Sequence, residues 1–554
     1  MKKITLSILF AICGLVASSQ TLTLKSTMPK GDAVRLSIAA TGGSVSIDTG
    51  DGIAKDYEVS ADVSSPTFLP LTATASNPTI IIKGDVLGIE CSSIKLTELD
   101  CSEAKSLLVL KCDINNLTEL DVSKNARLAR LYCNDNMLTS LNLGTGAELL
   151  LIYCQENQLT SLNLSNCTKL IELGCYRNAF TEIDLTHCPK LAVVNCSRNK
   201  IASLDVSKNL ELTQLYCENC QISELNVQNN LKLTHLYCGD NKLTDLKVDK
   251  LTELTQLNCK LNQLTMLDLK ENKALEELYC FSNKLTGLEL KNQQNLMVLS
   301  CGDNKLTDID LSGNLSLSEA SLSFNQLTNL NLKGNSTIMA VACDHNELKE
   351  LSAEGCDNLQ MMVIDHNKLS TESSQHFVES LPKLTEEGGI VFYNQAEYPE
   401  ADANVISTQT IQLANSKNWY IFDGEDLLTT AIHDVTTDSN KGFNMTNDGR
   451  KINFAKGATN WHLFTSDGLL VTKGYGPTAD FTTLAKGFYV LSRPLKSPFL
   501  RDIVQVQYLA YFLKHAQKSF HSSFEVICCC REKYVHSISY HTLIKVAAQT
   551  IIRL

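Results

Sequence analysis

Between about Cys91 and Ile364, apolar and polar positions follow a 21-residue cycle that does not slip. Consecutive copies such as LARLYCNDNMLTSLNLGTGAE from Leu128 and LLLIYCQENQLTSLNLSNCTK from Leu149 give the template L-x-x-L-x-C-x-x-N-x-L-T-x-L-x-L-x-x-N. The L-x-x-L-x-C stretch ends in period-two alternation, which predicts a short strand with its Leu and Cys side chains on one face. The second half has no room for a full helix, so an extended or tight-turn return is expected. Cys holds the sixth place at Cys91, Cys112, Cys133, Cys154, Cys175, Cys196, Cys217, Cys238, Cys259, Cys280, Cys301 and Cys343, with Leu322 and Ile364 standing in. Three residues on comes Asn115 or its equivalent, replaced only by Ile94 and Cys220.

A fixed period of this length is the signature of a leucine-rich-repeat solenoid. The strands should stack into one parallel sheet lining a concave face, and the returns should form the convex side. Fourteen registers at about 4.8 Å make a sheet of roughly 65 Å. A ladder of Asn, which offers both donors and acceptors, can satisfy the backbone groups exposed as each coil turns.

The flanks differ in pattern. Residues 1–19 read as a secretory signal: Lys2 and Lys3, a short apolar run, then Ala17-Ser18-Ser19. Ile12 before Cys13 is too large for a lipidation motif. Residues 20–88 alternate with period two and predict a β-rich cap over the open end of the solenoid. Its SIDTGDG turn is similar to a piece of the PKD-type β-sandwich. Asp48 and Asp51 there read as a plain turn ahead of a calcium loop. The solenoid is expected to span 89–424, its final coils irregular with convex helices at SSQHFVESLP and TQTIQLANSKN and strands at GGIVFYNQ and WYIFDG. A linker at 425–440, a small β-sandwich-like domain at 441–492 with turns at Asp467-Gly468 and Lys473-Gly474, and an atypical basic tail at 493–554 follow.

Charge narrows the partners. The tail holds nine of the 49 basic residues and three of the 61 acidic ones, and the signal two of the basic. The remaining body, 38 basic against 58 acidic, repels phosphate backbones, so nucleic acid is not an expected partner. No stretch is long enough to be a transmembrane helix. Twenty-one cysteines in an exported chain would suggest disulfides, but twelve fall at inward repeat positions. Stacked parallel side chains suit bridging poorly, and free Cys packs as a small apolar filler. Cys217-x-x-Cys220 has no second pair or His partner, so Cys220 reads as a substitute for Asn.

No nucleophile–base pair, phosphate loop or metal quartet stands out, and the eleven His read as scattered, so the chain is expected to be a non-enzyme with no cofactor and no metal. The outward strand position before each Cys is more informative: Tyr132, Tyr153, Tyr216, Tyr237 and Tyr279, with Gly174, Asn195 and Asn258 between. Flanking positions add Arg130, Tyr176, Arg177, Arg198, His235, Asp240 and Phe281. Such a row has two readings. It is a binding surface for protein or sugar, since each ring offers apolar area and a hydroxyl. Alternatively, Tyr simply suits an exposed strand and stacked rings support one another.

On these repeats the chain resembles the internalin-like leucine-rich-repeat proteins of bacterial surfaces, from roughly Leu87 to Gly424. That resemblance implies protein binding through the concave face. Internalins proper have longer repeats, so no particular receptor follows. Trp461–Phe464, Asp467-Gly468 and Gly487-Phe488-Tyr489-Val490-Leu491 resemble the C-terminal sorting domain of type IX secretion. It implies passage across the outer membrane, with that domain removed and the rest attached to the cell surface. The family's chains end shortly after that last strand, whereas this one continues into the tail, which reads either as a membrane-binding basic helix or, preferred, as translation past a frameshift or altered stop codon. The expected function is therefore adhesion or protein–protein interaction by a monomer at the extracellular or outer-membrane surface; the alternative is surface glycan capture for nutrient uptake.

Overall fold

A computed structural model describes residues 20–394, 398, 402–424 and 428, together with backbone strands at 426–427, 443–445, 451–454, 459–465, 470–476, 478–480 and 489–492. The signal at 1–19, most of the 425–440 linker and the tail at 493–554 lie outside the described residues. The chain divides into two compact units, Met1–Ile421 and Phe422–Leu554.

The first unit is a parallel β-solenoid of about 13 turns, a leucine-rich-repeat fold. Each 21-residue turn contributes a three-residue strand whose central side chain is buried, and in most of them, as in Arg130–Tyr132 and Gln214–Tyr216, both neighbours are partly exposed. Successive strands pair in strict register: Leu131 beside Ile152, Leu215 beside Leu236, Leu278 beside Leu299. Pairing continues beyond the strand, with the Cys133 amide donating to Tyr153 O at 2.8 Å. Between Cys91 and Ile364 the returns contain turns and a few short strands and no helix.

Two ladders of side chains hold the turns together. In the first, Asn262 Nδ2 donates to Cys238 O (3.0 Å) and Cys259 O (3.1 Å), while its Oδ1 accepts from Leu243 N (2.9 Å). The same triple link recurs at Asn136, Asn241 and Asn304, so every member joins its own turn to the one before. Cys220 keeps a weaker version, its Sγ 3.5 Å from Cys196 O. The second ladder uses the Asn ending the template. Asn209 Nδ2 donates to Leu185 O and Cys188 O, and Asn230 Nδ2 to Val206 O and Asn209 O, but their Oδ1 atoms have no partner. Only donors are needed there, which explains why thiols at Cys188 and Cys356 serve in the same column, donating to Leu164 O (3.8 Å) and Leu332 O (3.3 Å).

The residue before each first-ladder Asn adopts the left-handed conformation in every turn, from Ile114 (φ 54°) through Leu261 (φ 54°) to His366 (φ 50°). This sharp corner turns the chain off the concave sheet. It is occupied by ordinary residues, even β-branched Ile114, at a cost of about 1–2 kcal/mol each that the ladder must offset.

The cysteine column is buried, and all described cysteines are free thiols. Burial pushes Cys154, Cys259 and Cys301 up to about 12, so they stay protonated and act as apolar filler.

The N-terminal segment continues both sides of the first turn. Strand Ala33–Ala40 pairs antiparallel with Val86–Glu90, which in turn pairs parallel with Val109–Lys111 and so opens the concave sheet. Strand Thr21–Ser26 pairs antiparallel with Leu96–Asp100 on the return side. The solenoid therefore presents no bare edge here, and Leu22, Leu24, Val34, Leu36 and Ile38 cover its core. Asp48 Oδ1 accepts from Gly50 N and Gly52 N at 2.8 and 3.1 Å, a hydrogen-bonded turn. Gly50 has φ 120°, and a Cβ there would lie 2.7 Å from Pro78 Cβ.

At the other end the repeat lengthens. Helix α1 (Thr371–Ser380) is capped by Ser370 and helix α2 (Thr408–Ser416) by Ser407, each serine oxygen accepting an amide at 3.1 Å. Strand Gly388–Tyr393 extends the concave sheet beside Met361–Val363. Phe377, Phe392 and Trp419 fill the core in place of Leu, and Trp419 Nε1 donates to Pro382 O at 2.8 Å.

In the second unit, Thr459–Thr465 pairs antiparallel with Leu470–Gly476 and with Tyr489–Ser492. Lys473 and Gly474, expected at a turn, lie inside a strand opposite His462 and Trp461. The Asp467-Gly468 and Gly487-Phe488 signals lie outside the described residues.

Candidate concave binding face

Strand alternation aims the first and third residues of each strand outward, and these positions interlock across turns. Tyr132 and Tyr153 meet edge to face with centroids 5.4 Å apart; Tyr216 and Tyr237 lie tilted at 36° and 5.0 Å. All five expected Tyr are half-buried. Four of the hydroxyls are engaged on the sheet itself: Tyr237 donates to Gln256 Oε1 (2.8 Å), Tyr279 to Glu277 Oε2 (3.1 Å), Tyr216 to Gln214 Oε1 (3.3 Å), and Tyr153 to Glu172. These acceptors occupy the first strand position, and the sequence reading passed over them. The rings break where small or buried residues intervene. Gly174 follows Tyr153, and a Cβ at Gly174 would come within 2.7 Å of that ring, so the glycine gives Tyr153 its seat.

Burial pushes the Tyr216 hydroxyl up to about 12 and raises Tyr132, Tyr176, Tyr153 and Tyr237 as well, the Glu172 hydrogen bond adding to the rise at Tyr153. Lys111 Nζ sits 5.6 Å from the Tyr132 ring centre and Lys260 Nζ 5.6 Å from that of Phe281. Desolvation raises the Glu218 carboxyl, against the opposing pull of Lys260 4.0 Å away; Asn258 Nδ2 donates to it at 3.1 Å.

The remaining expected residues divide by position. Arg130 and His235 share the strands with the Tyr row; His235 Nδ1 lies 2.8 Å from Thr234 Oγ1, and burial lowers its affinity for a proton. Tyr176 and Phe281 lie just past the strand. Arg177, Arg198 and Asp240 occupy the left-handed corners, off the sheet, where Arg177 pairs with Glu156 at 3.0 Å and Asp240 accepts from Asn219. The structure therefore gathers Tyr132, Tyr153, Tyr216 and Tyr237 into two ring pairs, with Tyr279 two turns beyond Tyr237, and sets the charged corner residues along the rim.

A second gathering escaped the sequence reading. Asp344-His345 and Asp365-His366 occupy the same register in adjacent turns, and Asp402 joins them from the final coil. The signal was present: the tripeptide Asp-His-Asn recurs 21 residues apart, so these His are not scattered. A groove of about 480 Å³ on the convex side, between Met266 and Asp310, is open and remote from both clusters.

No family model matches the chain, and no curated protein matches it. Among solved structures it is similar to the functional domain of InlJ from Listeria monocytogenes, which includes a cysteine ladder (26% identity, 58% of this chain and 78% of that one, TM-score 0.48). It is also similar to a leucine-rich-repeat protein of Leptospira interrogans (24% identity, 55% and 83%, TM-score 0.50). YopM, a leucine-rich effector protein from Yersinia pestis, matches at 23% identity over 51% and 78% (TM-score 0.44). The chain thus has internalins and other leucine-rich-repeat proteins as its structural neighbours and shares their solenoid fold. No helix among the described residues is long and apolar enough to cross a membrane.

Proposed function

We propose that this is a non-enzymatic interaction protein, exported to the cell surface, that binds a protein ligand through the Tyr row of its concave face. The paired rings of Tyr216 and Tyr237 carry the reading. Their hydroxyls are already held by Gln214 and Gln256, so half-exposed aromatic area is offered with few torsions left to freeze on binding. A rim of opposite charges surrounds them, the composition of a protein-recognition patch. Tilted and edge-to-face rings give no flat platform for a sugar, which favours protein over glycan.

The test screens the full chain against surface-protein and glycan arrays beside a Tyr216→Ala/Tyr237→Ala variant. A protein hit weakened by roughly 30-fold or more per ring supports the reading, the scale of an aromatic hot spot. Glycan hits alone, or protein binding that survives the double substitution, overturn it. Surface display is tested separately by mass spectrometry of peptides that protease releases from intact cells. Release of solenoid peptides supports export; their appearance only after lysis refutes it.

A further inference from the structure

At the end of the concave sheet the left-handed corner column runs Phe324, His345, His366. The three rings stack, Phe324 on His345 at 4.2 Å and His345 on His366 at 4.3 Å, nearly parallel, and Tyr398 closes edge-on over them. The Nδ1 edges of both imidazoles face carboxylates: His345 Nδ1 is 3.0 Å from Asp344 Oδ2, and His366 Nδ1 is 3.0 Å from Asp365 Oδ2 and 3.8 Å from Asp402 Oδ2. Asp365 and Asp402 have side chains only 1% and 0% exposed, and that of His366 is 8% exposed. Asp365 Oδ1 and His366 Nε2, both buried, have no hydrogen-bond partner.

Three carboxylates beside two imidazoles leave an unbalanced charge in a dry place. A divalent cation would compensate the buried carboxylates and engage donor atoms already gathered there, among them the unpartnered Asp365 Oδ1 and His366 Nε2. One donor atom each from His345, Asp365 and His366 lies within 4.8 Å of the others. Donors bound at about 2.1 Å stand about 3.4 Å apart in a tetrahedral set, so rotation of the imidazoles out of their stack and a closure of up to about 1.4 Å complete it.

We propose that His345, His366 and Asp365, with Asp402 as a further carboxylate donor, bind one divalent transition-metal ion. Mixed imidazole and carboxylate donors select zinc-like ions over calcium and magnesium. Because the donors come from two successive turns and the final coil, the ion ties the last repeats to the closing segment.

The test uses the purified full chain, stripped with chelator and titrated with Zn²⁺ in a calorimeter, with bound metal counted by elemental mass spectrometry. One equivalent is expected, together with a rise in melting temperature on loading. Asn tolerates the left-handed backbone at φ 52° and 50°, so His345→Asn/His366→Asn should keep the metal-free circular dichroism spectrum while losing 100-fold or more in affinity. Asp402→Asn, away from those corners, should weaken binding independently. Co²⁺ loading should give visible bands without a thiolate charge-transfer band, which separates this site from the cysteine column. Absence of bound Zn²⁺, a thiolate signature, Ca²⁺ binding as tightly as Zn²⁺, or unchanged affinity in the double variant overturns the proposal.

Discussion

Replacing Asn262 by Ala removes one link of the first ladder and measures what such a link contributes. Asn262 is 8% exposed, and its partners Cys238, Cys259 and Leu243 are fully buried. Substitution strands the Leu243 amide and takes one acceptor contact each from Cys238 O and Cys259 O. A buried donor left unmade costs about 1–3 kcal/mol, and each weakened carbonyl about 0.5–1.5 kcal/mol, giving roughly 4 kcal/mol in all. Urea unfolding followed by far-ultraviolet circular dichroism reads the difference. An Asn262→Asp variant sharpens the test. It keeps the acceptor for Leu243 N but sets a carboxylate oxygen against two carbonyls, so at neutral pH it should cost at least as much as Ala. A loss below about 1 kcal/mol for Ala, with unchanged denaturant slope, would refute the view that this column holds turn to turn through hydrogen bonds. The chain contains the complementary case: Cys220→Asn should restore the missing link and stabilise by roughly 1–2 kcal/mol.

Ile114 is 55% exposed and left-handed, so Ile114→Asn should stabilise by about 1 kcal/mol in the same assay; a loss of stability would show that its side chain contributes more than its backbone costs. Alkylation of the native chain at neutral pH, mapped by peptide mass spectrometry, should modify half-buried Cys220 well before Cys217 or Cys238, and equal rates would contradict a dry thiol column. The Tyr216 hydroxyl, pushed up to about 12 by burial, gives a signed alkaline prediction. Its folded value lies above the unfolded value of about 10, so the stability from keeping it neutral is complete below pH 10 and is lost as pH rises through 12. Tyr216→Phe should lessen that loss, and ultraviolet titration of all tyrosines near pH 10 in a folded chain would refute it.

The 21-residue period determined the solenoid, because a coil with buried Leu and Cys at fixed places can hide them only by stacking on a copy of itself. Alternation placed Tyr132, Tyr153, Tyr216, Tyr237 and Tyr279 on the outer face for an equally local reason: successive strand side chains point to opposite sides. Sequence pattern did not reveal the left-handed corner, since residues as different as Asp135, Arg198 and Leu261 occupy it, and it persists at Ser93 and Asn219, where Ile94 and Cys220 replace the ladder Asn, so the stacked coil rather than any one residue sets it. Nor did the pattern show which Tyr meet as ring pairs, Tyr132 with Tyr153 and Tyr216 with Tyr237, which depends on Gly174 and Asn258 in neighbouring turns. Stacking alone brought His345 onto His366, and the final coil carried Asp402 to His366 from 36 residues further along the chain. A repeat therefore declares in its own sequence what each turn buries. What adjacent turns place side by side on the surface depends on residues 21 or more positions apart, and only the stacked coil brings these into contact.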